Sequence, residues 1–488
     1  MNRHAPIAPN EPIVRPGRNA WRVETADALT FLVDGEDYFR ALDRALRTAR
    51  RSIRIVGWDF NPDIRLRPRE AGERLCHLLR GLVEQNPRLE IHILVWSMGP
   101  IYSGRSLKLL RKNRWSSHPR IHLRFDTHPA LRGSHHQKIV TIDDAVAFAG
   151  GIDLTAGRWD TREHAARSPH RVRPNGERYG PVHDVQAMFC GPAARAVANL
   201  ARRRWQTATG EEVASLTTAS ATWPEGIEPE MEGCAAAIAR TMPDLPGFDE
   251  RREAVCLSRD AIAAACRHIY IETQYLASFG IGGALTKRLR EPDGPHIVIL
   301  ATSSSRGVIE QFVMARNRDR LIRRLKQADR FDRLRVMYAV VPDENGEHCE
   351  VLIHSKVLIV DDSFVRVGSS NLNNRSEGLD TECDIAVEAR TTEQRRAIAA
   401  LRDRLMGEHL DASPEAVAEA IRDGSLVAAV DRLNRRPRGL RPFPVDLAGG
   451  TSPLPGTALL DPKTPFRPLH KARELVASAF SRLGRSAF

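Results

Sequence analysis

The sequence carries the pattern His-x-Lys-x4-Asp twice, as His136, Lys138 and Asp143 and again as His354, Lys356 and Asp361, 218 positions apart. Six residues separate each Asp from a short turn rich in small residues: Gly150, Gly151, Ile152 and Asp153 in the first copy, Gly368, Ser369, Ser370 and Asn371 in the second. With 17 His and 8 Lys in 488 residues, chance supplies such a pattern roughly 0.02 times per chain at average Asp usage. Two copies with matched downstream turns therefore signal a duplicated unit, and a duplicated unit limits the fold to two similar halves.

The flanking sequence repeats as well. RSIRIVGWDF (51–60), LEIHILVWS (89–97), RIHLRFDT (120–127) and HQKIVTID (136–143) read as strands rich in β-branched residues. Helical periodicity lies between them at 34–50, near 70–85 and at 106–115. RHIYIETQYL, HIVILATSS, RLRVMYAVV and HSKVLIVDD return in the same order in the second half. Strands alternating with helices predict an α/β fold with a largely parallel, mixed sheet in each half. The expected divisions are a flexible leader (1–18), an N-terminal lobe (19–205), a linker or insertion (206–250), a C-terminal lobe (251–410), and a helix followed by a Pro/Gly-rich arm (411–488). Leu469, Leu475, Val476, Phe480 and Leu483 fit one face of a short basic amphipathic helix near the end, which is expected to pack on its own domain.

Residues two apart on a strand share a face, so His and Lys of each copy project together. Two lysines give fixed positive charge for phosphate oxygens, and Gly151 and Ser369 let backbone amides approach them. Asn371 adds an amide donor. Of two histidines near neutral pKa, one attacks phosphorus and the other carries the leaving-group proton. Each needs a carboxylate on its second nitrogen, and Asp160, Glu382 and Asp384 are the candidates. Asp143 and Asp361 complete the motifs and are counted with the catalytic His and Lys, in the role of bracing the strand end or the motif itself. The lysines already bring the charge that a cation would supply, so neither metal nor cofactor is expected. The seven Cys show no C-x-x-C pair and no zinc spacing, which fits free thiols.

These residues resemble the phospholipase D superfamily, whose hallmark is two H-x-K-x4-D motifs, each followed by G-[GS]-x-[ND]. VGWDF (56–60), IYIETQYL (269–276), GGIDLTAGRWDT (150–161), VHDVQAMFCGPAARAV (182–197) and GSSNLNNRSEGLDTECDIAV (368–387) extend the likeness over residues 20–410. The resemblance implies a duplicated α/β/α sandwich with one site between two pseudo-symmetric lobes. It also implies a metal-independent phosphodiesterase with His136 as nucleophile and His354 as general acid, and it carries over Lys138, Lys356 and Asn371 directly. Asp153 stands where many members have Asn.

The implied activity is hydrolysis, or transfer, of the headgroup of a glycerophospholipid. A phosphatidyltransferase of the cardiolipin-synthase kind, a nuclease, and a non-catalytic phosphoinositide- or nucleic-acid-binding scaffold are the alternatives. A net charge of +12 favours polyanionic surfaces, here an anionic membrane rather than nucleic acid. No run approaches ~18 apolar residues, and residues 1–18 lack a signal-peptide core. A cytoplasmic protein touching the inner membrane face is expected. One chain holds both motifs, so a monomer is expected.

Overall fold

The computed structural model describes residues 11–98, 115–127, 133–216, 223–244, 249–304 and 309–465. The expected helix at 106–115 falls almost wholly outside them, and the amphipathic segment at 469–483 entirely so.

The architecture is mixed α/β. In the first half the strands run in the order Ile121–Asp126, Glu90–Trp96, Ser52–Gly57, Ile139–Ile142, Val146–Gly150, Val185–Cys190 and Arg22–Val33. The first three are mutually parallel and each later neighbour is antiparallel. The second half repeats this order with Leu334–Pro342, His296–Ala301, His268–Thr273, Lys356–Val360, Phe364–Gly368, Glu382–Glu388 and Met231–Met242. Parallel strands need crossovers, and the helices Asp34–Thr48, Leu75–Gln85, Phe279–Arg290 and Ile309–Ala328 lie in or beside these connections.

Arg22–Val33 and Met231–Met242 pair antiparallel with each other and so join the two sheets. Met231–Met242 lies within the 206–250 segment expected to be a linker or peripheral insertion. It is instead a central strand, bonded on its other side to Glu382–Glu388. Its run of alanines carries little intrinsic strand preference, and the position between two neighbours overrides that. Within the described part of the expected leader, Ile13 and Val14 are pinned, donating backbone N–H groups to the Glu388 carboxylate at 2.9 Å each. Beyond the second lobe, helices Pro414–Asp423 and Leu426–Leu433 precede strand Gly439–Pro442, which adds to the edge of Leu334–Pro342.

Period-two alternation builds three cores from two sheets. Ala147, Ala149, Val185, Ala187, Val357, Ile359, Val365 and Val367 point to one core shared by both lobes. Their alternates Val146, Phe148 and Met188 meet Tyr38, Leu42 and Leu79 in a core belonging to the first lobe. Leu358, Val360 and Phe364 meet Leu285 and Leu321 in a core belonging to the second.

Candidate active site

Each motif's histidine stands just ahead of its strand rather than within it. The strands begin at Ile139 and Lys356, so the shared strand face expected for His and Lys is not what aligns them. The histidine segments leave their own sheet and pair across to the other lobe. Leu352–Ile353 runs parallel to Val182–His183, and His135 bridges Thr381 in parallel. His354 donates its backbone N–H to His183 O at 2.8 Å, and His136 donates to Thr381 O at 3.0 Å.

The residue following each of those acceptors is an acid, and it meets the incoming imidazole. His136 Nδ1 lies 3.1 Å from Glu382 Oε2 and 3.0 Å from Ser369 O. His354 Nδ1 lies 2.6 Å from Asp184 Oδ2. Each histidine is thus oriented by a carboxylate of the opposite lobe. Glu382 is further held by Ser369 Oγ at 2.5 Å and Ser376 Oγ at 2.6 Å. Burial pushes the Glu382 carboxyl well above its usual range despite these bonds.

Glu382 was among the acids expected to orient a histidine; Asp184 was not. Asp184 and Glu382 occupy equivalent strand positions, each two residues before the partner of Gly150 or Gly368, namely Gln186 and Asp384. Their separation is 198, not 218, because a longer loop follows the first motif. That shift hid the match. The remaining two acids act elsewhere. Asp160 binds His164 Nδ1 at 3.0 Å, Arg171 at 2.9 Å and the Val182 N–H at 2.9 Å. Asp384 binds Arg366 at 2.9 Å and the Ser370 N–H at 3.1 Å.

Lys138 Nζ donates to His136 O at 2.9 Å and lies 3.3 Å from Asp153 Oδ2. Lys356 Nζ donates to His354 O and lies 3.3 Å from His354 Nδ1. Burial draws the Lys356 ammonium down to about 7, partly opposed by Asp184. Burial, followed by the nearby lysines, holds both His136 and His354 well below 6.5. Arg158 contributes to the same effect at His354 and was not singled out by the sequence. The His136 side chain is 15% exposed and that of His354 is 5% exposed, so His136 is the more open imidazole.

The expected phosphate contacts divide. Asn371 Oδ1 is buried without a hydrogen-bond partner. Ser369 spends its hydroxyl and its carbonyl on Glu382 and His136. Asp153 pairs Lys138 and accepts the Trp58 N–H at 2.9 Å, so it braces the lysine. The Gly151 N–H donates to Val185 O at 3.2 Å, and a Cβ on Gly151 would sit 2.0 Å from Asp184 Oδ1. That glycine makes room for the orienting acid rather than offering an amide to phosphate.

Asp143 and Asp361 lie at the far ends of their strands, about 16 Å from the lysines at ~3.3 Å per residue. Asp143 accepts the N–H groups of Arg50, Arg51 and Ser52 at 2.7 Å each. Asp361 accepts those of Cys266, Arg267 and His268 at 2.9, 2.7 and 2.9 Å. Both carboxylates bracket strand starts, where they brace the backbone.

Two family models match the chain. The phospholipase D model covers residues 45–232, and the model described as cardiolipin synthase, PLD-like domain covers residues 259–402. The chain is 27% identical to Phospholipase D1 of Saccharomyces cerevisiae, across 80% of this chain and 29% of that protein. It is 25% identical to Phospholipase D A of Dictyostelium discoideum, across 70% of this chain and 31% of that protein. The chain thus spans under a third of the length of these relatives. A phosphatidylserine synthase structure from Haemophilus influenzae shares the fold, with a TM-score of 0.52 and 12% identity over 82% of this chain and 94% of that one.

Proposed function

We propose, from the premise that this chain belongs to the phospholipase D superfamily, that it hydrolyses the headgroup phosphodiester of a glycerophospholipid to phosphatidic acid through a phosphohistidine. The observation that carries the reading is the crossed pairing of two imidazoles with two carboxylates, His136 with Glu382 and His354 with Asp184. A carboxylate on Nδ1 fixes the tautomer and leaves Nε2 for chemistry.

In this reading His136 Nε2 attacks phosphorus and forms the P–N bond. The P–O bond to the headgroup breaks, and the departing oxygen takes the Nε2 proton of His354, which enters this step as an imidazolium held by the Asp184 carboxylate and by the negative charge of the bound phosphodiester. Water then enters. His354 removes its proton as oxygen bonds phosphorus and the P–N bond breaks, restoring both histidines. An alcohol in place of water gives headgroup transfer. Lys138, Lys356 and the Asn371 amide face the non-bridging oxygens, where charge builds up. The +12 net charge supports docking on anionic bilayers, and among the described residues no helix is long and apolar enough to cross a membrane. A single chain carries every group named, which supports a monomer. A phosphatidyltransferase is the second reading, favoured by the cardiolipin-synthase description of the model matching residues 259–402.

Vesicles of phosphatidylcholine, vesicles of phosphatidylglycerol, and plasmid DNA offered in parallel separate the readings. The expected result is headgroup release with phosphatidic acid. Diphosphatidyl product indicates the transferase, and nicking of the plasmid overturns the lipid assignment. His136→Ala and His354→Ala should each lose at least about 10³-fold in turnover. Rapid quench during turnover should trap phosphate on His136. Phosphate on His354 reverses the two roles, and near-normal turnover in either alanine variant removes the mechanism.

A further inference from the structure

Behind the reacting histidines lies a second group of ionisable side chains that the proposed chemistry does not use. Asp34, His164, His183 and Glu408 converge there, with side chains 3% exposed or less. His183 Nδ1 lies 2.8 Å from Glu408 Oε1 and 3.0 Å from Asp34 Oδ1, within reach of both carboxylates at once. His164 Nε2 lies 2.9 Å from Glu408 Oε1, in hydrogen-bond geometry, and 3.6 Å from Asp34 Oδ2. Asp34 Oδ2 and Glu408 Oε2 are buried and receive no donor.

We propose that Asp34, His164, His183 and Glu408 form a structural site for a divalent first-row transition-metal ion of the zinc type. Four tetrahedral ligands at ~2.0–2.1 Å from such an ion stand about 3.3 Å apart; the imidazole-to-carboxylate separations of 2.8 to 3.6 Å, taken to Glu408 Oε1 and to one or the other oxygen of Asp34, bracket that value, and one ligand atom from each of the four side chains lies within 4.8 Å of the others.

The independent sign is what holds the outer side of each ring. His164 Nδ1 meets Asp160 Oδ2 at 3.0 Å, and Asp160 is itself fixed by Arg171. His183 Nε2 meets Glu272 Oε2 at 3.0 Å, and Glu272 is fixed by the Tyr270 hydroxyl at 2.6 Å. Metal-bound histidines are oriented in this manner, with a carboxylate taking the second N–H. The donor set of two imidazoles and two carboxylates suits zinc and its neighbours, and it offers too few oxygens for calcium. The His409 ring stands edge-on to His183 at 4.6 Å.

Three ligands come from the first lobe, and Glu408 comes from the helix Thr392–Leu410 of the second. The ion would tie these segments together next to the segment that holds His354. His183 O accepts the His354 N–H, and the next residue, Asp184, orients the His354 ring. The role is positioning; no step of the phosphodiester chemistry passes through the ion.

The test is elemental analysis of the full chain, purified without chelator or metal-affinity resin. About one equivalent of zinc, iron or manganese per chain is expected. X-ray absorption at that metal's edge should give nitrogen and oxygen scatterers near 2.0–2.1 Å with an imidazole signature. Glu408→Gln and His164→Gln should fall below about 0.2 equivalents, whereas the inactive His136→Ala should keep its ion, so the result is read independently of the proposed reaction. Should both ligand variants fail to fold, the wild-type content and spectrum still decide. Wild-type protein with less than about 0.1 equivalents, whose thermal midpoint does not rise after refolding with Zn²⁺, Mn²⁺ or Fe²⁺, overturns the site and leaves a proton-bridged salt network.

Discussion

At the scale of single residues, the division of labour rests on what each carboxylate touches. Asp184 and Glu382 contact the rings of His354 and His136, so they act through the histidines rather than on substrate. Asp184→Asn and Glu382→Gln keep shape but cannot stabilise an imidazolium or hold the required tautomer. Each should lower kcat by about 10²–10⁴-fold while KM for vesicles and the thermal midpoint stay near wild type. Equal losses in kcat and thermal stability would make the two acids mere structural supports. The histidines and lysines were legible because their spacing is local and duplicated. The acids were only half legible, since their contacts cross 246 and 170 positions of sequence. Asp160 and Asp384 lie close to the motifs in sequence, but Arg171 and Arg366 claim them.

At the scale of elements, the third letter of each motif organises strand entry. Asp143 and Asp361 take up φ of +51°, a left-handed conformation that Asp and Asn tolerate better than most residues. Their carboxylates gather three consecutive N–H groups where Ser52–Gly57 and His268–Thr273 begin. Asp361→Ala removes those acceptors and strains the turn, and it should cost about 2 kcal/mol or more. Asp361→Asn should cost less, because Asn keeps the backbone preference and one acceptor. Denaturant titration reads the difference, and kcat of the folded Asp361→Asn protein should remain within about threefold of wild type. A kcat collapse in the Asn variant would return Asp361 to the chemistry. The strands themselves were legible where β-branched residues alternate. Met231–Met242 was not, because alanines reveal no face and only its two neighbours make it a strand.

At the scale of the whole molecule, the two lobes cannot be finished separately. Each histidine is anchored and oriented by the opposite lobe, and Arg22–Val33 and Met231–Met242 splice the sheets. The shared core takes Ala147, Ala187 and Phe189 from one half and Val357, Val365 and Ile385 from the other. Unfolding one lobe would strip water-free cover from the inner face of its partner and leave Glu382 or Asp184 without its ring. Independent domains meet through modest, more polar surfaces and unfold in separate steps; here the boundary is itself an apolar core. Calorimetry should therefore give a single transition for the whole chain, with activity and tertiary signal lost together. Two transitions separated by more than about 10 °C, with one lobe melting while the other stays intact, would contradict a common core. The duplication was readable from sequence, whereas the interlock was not, because nothing in a one-dimensional repeat says that each copy completes the other.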